Sequence, residues 1–209
     1  MNPIMTRARE LLPAILITVL SMIQALALEL YWSKIGDSDY LWLGGWNAAI
    51  GWLQLVIVFL GIVLIWLLYV SSVLRFSWVP AMEDTVIPFF IGLLEFAMID
   101  LIGPATLGPW FLVLAAIFAV STGANHMVMR RARRDPVNAY FFEGIAPARW
   151  RDYTTTFVVI LILALLGVTI WWGGPFQWLS IAALLFALAA LGNQLRQTHH
   201  YWMHSLMPE

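Results

Sequence analysis

Two carboxylates lie inside an apolar segment that is long enough to cross a membrane. The segment covers residues 86–103 and reads VIPFFIGLLEFAMIDLIG, with Glu95 near its middle and Asp100 five residues later. On a helix the two side chains are separated by about 7.5 Å in depth and by about 140° around the axis. A carboxylate at mid-bilayer costs about 2.5–3.5 kcal/mol to insert, unless it is neutral, paired or turned toward protein or water. The segment therefore predicts a membrane protein with a polar interior around Glu95.

Further polar side chains occur at comparable depths in neighbouring apolar segments. Glu29 and Gln24 lie in the first of these segments and Gln54 lies in the second, while no basic residue occupies the central region of any of them. A carboxylate without a cationic partner either holds a proton or attracts a cation from water. We therefore expect an ion pathway with Glu95 as its central protonatable or coordinating site, Glu29 and Asp100 as an outer acidic vestibule, and Gln24 and Gln54 beside them. Alternatively, Glu29 and Asp100 contact headgroup water and Glu95 donates a hydrogen bond between helices.

Basic and imidazole side chains gather at the ends of the later apolar segments. A run of arginines is expected to bind anionic lipid headgroups or a partner protein, or only to fix the topology; it consists of Arg130, Arg131, Arg133 and Arg134. His126, His200 and His204 are weak candidates for metal ligands, because His200 and His204 are four residues apart and could share a helix face. An interfacial tail rich in His, Tyr and Trp explains the last two equally well. We expect neither a metal nor a cofactor.

Composition indicates one membrane domain over residues 1–209. Of the 209 residues, 62% are hydrophobic and only 11% are charged, which is far from the average soluble composition. The absence of cysteine excludes disulfides, thiolate metal sites and iron–sulfur clusters. Motifs for hydrolases, zinc proteases, phosphate binding and nucleic-acid binding are also missing from the sequence. An enzyme is therefore less favoured than a transport or scaffold protein.

Hydropathy predicts an all-α, polytopic membrane protein with six transmembrane helices. The six predicted spans cover residues 11–32, 46–75, 86–103, 110–129, 153–172 and 178–194. With six spans, all ten arginines fall on one side of the membrane and the single lysine, Lys34, falls on the other. The positive-inside rule then places both termini in the cytoplasm and the protein in a bacterial-type inner (plasma) membrane.

The leading functional hypothesis is a channel or transporter for protons or small monovalent cations. The layout resembles small bacterial six-helix potassium-channel subunits in length and topology, but Ser21-Met22-Ile23-Gln24 stands where that family carries Phe-Ser-Asp. One alternative is a non-transporting subunit or scaffold that binds a partner protein or lipid through the basic loop, and another is a membrane-embedded lipid or redox enzyme. We expect a homo-oligomer, since six short helices bury little alone. A small and polar side of the first helix should face other helices; it is formed by Thr18, Ser21, Ala25 and Glu29.

Overall fold

The computed structural model describes residues 3–79, 81–144, 146–174 and 176–206, with Trp150 and residues 201–206 described by their backbone alone. Every regular element in these residues is a helix. The six α-helices are α1 (Pro3–Gly36), α2 (Gly45–Arg75), α3 (Glu83–Asp100), α4 (Leu107–Arg134), α5 (Thr154–Gly173) and α6 (Gln177–Leu206). Short 3-10 helices at Asp39–Leu41, Pro104–Thr106, Pro136–Phe142 and Trp150–Tyr153 join them. The all-α prediction is therefore confirmed.

Within the described ranges, five helices are long and apolar enough to cross a bilayer. They are α1, α2, α4, α5 and α6, where the α4 span includes the preceding 3-10 turn and the α5 span begins at Arg151. The exception is α3, which has 18 residues and carries four acidic side chains, Glu83, Asp84, Glu95 and Asp100. A multi-pass membrane protein is supported, whereas the crossing by α3 stays a prediction.

The bounds of α3 differ from the predicted span at both ends. The helix begins at Glu83 rather than at residue 86, because Glu83 and Asp84 occupy its first turn, where negative charge complements the helix dipole. It ends at Asp100 rather than at residue 103. Gly103 has a φ of 154° and precedes Pro104, and both features disfavour a helical conformation there.

Glycines set how closely two pairs of helices approach each other. A Cβ atom on Gly92 of α3 would lie 2.3 Å from Ile23 Cγ2 of α1, so only glycine fits there. A Cβ atom on Gly108 of α4 would lie 2.7 Å from the backbone nitrogen of Trp171 in α5. As a result α3 packs chiefly on α1 and α4 packs chiefly on α5, while α3 also contacts α2 and α4.

Polar contacts divide the bundle into two ends. At one end the Arg9 guanidinium of α1 donates to Asp135, which follows α4, and Arg131 of α4 pairs with Asp84 in the first turn of α3. At the other end Lys34 Nζ of α1 donates to the Asp100 carbonyl of α3 at 2.8 Å. The beginnings of α1 and α3 and the end of α4 therefore share one end, which we call the arginine end.

The polar side of α1 does not face the other helices of the chain, contrary to expectation. Its four residues, Thr18, Ser21, Ala25 and Glu29, are all exposed. The buried residues of α1 are Leu16, Leu20, Ile23, Gln24 and Ala27; among them Ile23 contacts α3 and Gln24 contacts α2. Because this larger apolar set gains more from burial, it determines how α1 is rotated. The small and polar side is left for lipid or for another chain.

Candidate functional site

Glu95 is a buried carboxylate without a hydrogen-bond partner among the described residues. Its side chain lies on α3 and the residue is only 2% exposed. Neither Oε1 nor Oε2 accepts a hydrogen bond from the part of the chain that the structure covers. An unpartnered buried polar group costs about 1–3 kcal/mol. Buried polar groups are usually satisfied, and so the exception at Glu95 makes it the first candidate for a functional group.

Gln24 is the polar side chain that faces Glu95 across the contact between α1 and α3. It is buried, and its Nε2 donates one hydrogen to the Ile62 carbonyl of α2 at 3.0 Å, which leaves the second amide hydrogen for a weaker contact with Glu95. The two side chains meet because Gly92 lies one turn before Glu95 and contacts Ile23, the neighbour of Gln24. A larger residue than glycine at position 92 would separate the helices at this level. The local sequence therefore positions the pair.

Asp84 lies on the same face of α3 as Glu95. Glu95 is eleven positions after Asp84, an offset that corresponds to about 16 Å along the helix axis and to a rotation of only about 20°. Asp84 is buried and is paired with Arg131. It also accepts hydrogen bonds from Trp78 Nε1 at 2.9 Å and from the Ala81 backbone at 3.1 Å. A buried acid thus stands at the arginine end of the helix face that carries Glu95.

A cavity of about 50 Å³ lies between α2, α3 and α4 along this face. From α3 it is lined by Asp84, Ile87 and Ile91, and from the other two helices by residues that include the polar side chains Tyr69, Ser72, Ser121 and Asn125. Ser121 Oγ is buried and lacks a partner among the described residues. The walls are mainly apolar with a few polar side chains, and the volume is enough for roughly three water molecules. It reaches Ile91, which is one turn short of Glu95.

Sequence reasoning missed Asp84, its pairing with Arg131 and the cavity beside them, although it named Arg131 as a candidate for binding lipid headgroups or a partner. It assigned Asp84 to the connection between two spans, because Pro80 and the adjacent polar residues are typical of a loop. The spacing of eleven residues to Glu95 is the signal that was available, since it corresponds to about three helical turns. The pairing with Arg131, 47 residues later in the chain, has no local signal.

The structure does not bring the other predicted pathway residues to Glu95. Glu29 and Asp100 are exposed, so each carboxyl group lies on the outside of the single chain. Gln54 is fully buried at 0% exposure, but its Oε1 accepts from the Gly103 backbone at 3.0 Å. Its Nε2 lacks a partner among the described residues. Gln54 therefore holds the chain after α3, and only Gln24 of the predicted set accompanies Glu95.

Contacts within the chain engage two of the four clustered arginines. Arg131 binds Asp84 and also Glu83. Arg133 donates to the Ala146 carbonyl at 3.1 Å and lies 4.6 Å from the centre of the Phe142 ring. Arg130 and Arg134 are exposed and make no ion pair within the described part of the chain. An anionic ligand would therefore meet Arg130 and Arg134 first.

The histidines do not form a metal site in the part of the chain that the structure describes. The described residues contain no group of three His, Cys, Asp or Glu side chains that could bind a metal ion. His126 Nδ1 instead forms a hydrogen bond with the Tyr153 hydroxyl at 2.9 Å. His200 is exposed near the end of α6. The side chain of His204 lies outside the described residues.

The chemistry available at Glu95 is therefore the reversible binding of a proton or a cation by one carboxyl group in an apolar bundle. Ser121, whose hydroxyl group lacks a partner among the described residues, lines the cavity and could join a chain of water toward Glu95, whereas Asp84 is held by Arg131 and marks the end of the cavity. Comparison of the chain with protein-family models, with curated proteins and with solved structures gave no match.

Proposed function

We propose that the protein is an inner-membrane transport protein that moves protons across the bilayer by way of Glu95. The burial of Glu95 without a hydrogen-bond partner among the described residues is the observation that carries this proposal. A structural carboxylate at this depth would be held by hydrogen bonds. A carboxylate that binds and releases its ligand must instead avoid permanent partners.

The proposed topology has six spans, including α3, with both termini in the cytoplasm. The five apolar helices support this topology. Polar contacts support it as well, because they connect helix ends to one another at each of the two ends of the bundle. Arg131 and Asp84 join the end of α4 to the beginning of α3 at the arginine end, whereas Lys34 contacts the end of α3 at the other. If α3 crosses the membrane, its 18 residues span about 27 Å, close to the thickness of the hydrocarbon core.

Protons would reach Glu95 from the cytoplasm through the cavity beside Asp84. The cavity ends at Ile91, so movement of that one side chain would let water approach the carboxyl group. The proton then leaves toward the outer side, past the end of α3. Because Glu95 is buried inside one chain, the path lies within each protomer even if the protein is a homo-oligomer, as we also propose.

A proton fits this site better than a metal or alkali cation does. A bound cation requires several oxygen ligands, whereas Glu95 has Gln24 as the polar side chain that faces it. Glu95 and Gln24 together offer at most three side-chain oxygens, which is fewer than such a cation needs. A proton requires only the carboxyl group and a transient chain of water.

Proton flux into proteoliposomes tests the proposal directly. The purified protein is reconstituted with a pH-sensitive dye inside, and a potassium gradient with valinomycin drives proton entry. We expect Glu95→Gln to abolish flux, because the amide keeps the shape of the side chain and cannot bind a proton reversibly. Glu29→Gln is the matched control, since Glu29 is exposed on α1, and it should retain wild-type flux.

Two results would overturn the proposal. The first is equal flux in the wild type and in Glu95→Gln, which would remove the role assigned to this carboxyl group. The second is the absence of flux in well-folded wild-type protein under either polarity of the potential. That outcome would favour the alternative of a membrane subunit that acts through its basic loop.

A further inference from the structure

A line of side chains on α4 leads from its contact with α5 to two exposed arginines. Gly108 packs on Trp171 of α5, and His126 lies 18 residues later, which returns it to the same side of the helix. Arg130 and Arg134 follow at spacing four, each turned by about 40° further. The two guanidinium groups therefore stand at the edge of the α4–α5 contact.

The beginning of α5 lies against this line. Tyr153 immediately precedes α5, and its hydroxyl group forms the hydrogen bond with His126 at 2.9 Å. The two rings are also in edge contact, with centroids 5.3 Å apart. We call this contact the His126–Tyr153 bridge. It holds the beginning of α5 against α4 at a point one helical turn before Arg130.

An exposed apolar stripe continues from Tyr153 along α5. Phe157, Leu161 and Leu165 follow at spacing four and are 46%, 58% and 57% exposed. From Tyr153 to Leu165 the stripe extends about 18 Å, which is close to the thickness of one leaflet, half of a core of about 30 Å. The stripe has the length of one acyl chain, and the arginines stand at its polar end.

We propose that the surface formed by the end of α4 and the exposed side of α5 binds one anionic phospholipid from the cytoplasmic leaflet. Arg130 and Arg134 hold the phosphate of the headgroup, and the His126–Tyr153 bridge lies at the level of the glycerol. An acyl chain begins beside Phe157 and follows the stripe away from α4, because Leu165 lies about 160° around the helix from Gly167, which packs on α4. Arg131 and Arg133 take no part, because Asp84 and Phe142 already engage them. This proposal requires a membrane location for the protein but does not depend on proton transport.

Native mass spectrometry of the purified protein tests this proposal. The protein is exchanged into micelles that contain equal amounts of phosphatidylglycerol and phosphatidylcholine with matched acyl chains, and bound lipids are counted. We expect one phosphatidylglycerol molecule to be retained with about 30-fold preference, since each arginine contributes about a factor of five. The double variant Arg130→Gln/Arg134→Gln should lose that preference.

The control removes the same amount of charge from two other helices. Arg7 of α1 and Arg196 of α6 are both exposed, so Arg7→Gln/Arg196→Gln should keep the wild-type preference. An equal loss in both double variants would overturn the proposal, because binding would then follow net charge rather than a site. No preference for phosphatidylglycerol in the wild type would overturn it as well.

Discussion

Replacing Glu95 with a methionine should make the protein more stable while removing its proposed activity. Methionine has a similar length and no hydrogen-bonding requirement, so its substitution leaves little cavity. Both carboxyl oxygens are buried and unpartnered among the described residues, and the penalty relieved is about 1–3 kcal/mol. Glu95→Met should therefore raise the free energy of unfolding by about that amount. Functional groups commonly carry such a cost in stability.

The assay is an equilibrium unfolding titration with sodium dodecyl sulfate in mixed micelles, followed by the fluorescence of the twelve tryptophans. Gln24→Met is the matched control, because its amide nitrogen donates to Ile62, and it should lose about 0.5–1.5 kcal/mol. The two variants therefore change stability in opposite directions. If Glu95→Met instead lost more than about 1 kcal/mol of stability, Glu95 would be holding the helices together through hydrogen bonds, which would contradict an unpartnered carboxyl group.

Three further predictions concern packing and charge. Gly92→Ala should destabilise the protein by about 1–3 kcal/mol, because its Cβ would lie 2.3 Å from Ile23 Cγ2. The control Gly61→Ala should be neutral or stabilising, since nothing lies within 4 Å of a Cβ atom there. Equal effects of the two variants in unfolding titrations would contradict the close contact at Gly92. Asn138→Ala should lower the free energy of unfolding by about 2–4 kcal/mol in the same titration. The reason is that this fully buried amide accepts a hydrogen bond from Ser77 N at 2.7 Å and donates one to Ser77 O at 2.9 Å. A loss below about 0.5 kcal/mol would show that Asn138 does not hold the loop after α2. The hydrogen bond from Arg9 holds the pKa of the Asp135 carboxyl below its ordinary value of 3.8, so its stabilisation is complete above that value and is lost as the pH falls through the lowered pKa. The difference in the free energy of unfolding between wild type and Asp135→Asn should be constant from pH 7 to about pH 5 and should shrink below about pH 4. A difference that grows toward acidic pH would show that Arg9 does not stabilise the ionised Asp135 carboxyl group.

The helices and the burial of Glu95 follow from local properties of the sequence. Hydropathy over about 20 residues identifies a membrane helix, and an acid inside such a segment must avoid lipid wherever its neighbours lie. The helix ends were predicted less accurately, as at Glu83. Charged residues occur both in loops and in the first turn of a helix, so the sequence alone does not distinguish the two.

The partners of the site residues depend on how the helices are rotated and paired, which the sequence does not encode locally. The register between α1 and α3 follows from one glycine, Gly92, meeting one side chain, Ile23. That contact brings Gln24 to Glu95 and leaves Glu29 outside. The pair between Asp84 and Arg131 likewise joins two helices whose adjacency is a property of the folded bundle.

Aqueous access to position 95 is the central requirement of this account. The chain contains no cysteine, so Glu95→Cys introduces a single thiol in place of the carboxyl group. In vesicles with the arginine end outward, added silver ions should reach this thiol and protect it from alkylation after denaturation. Phe90→Cys, on the exposed side of the same helix, should remain unprotected. A thiol at position 95 that silver reaches from neither side of the membrane would contradict the proposed proton path.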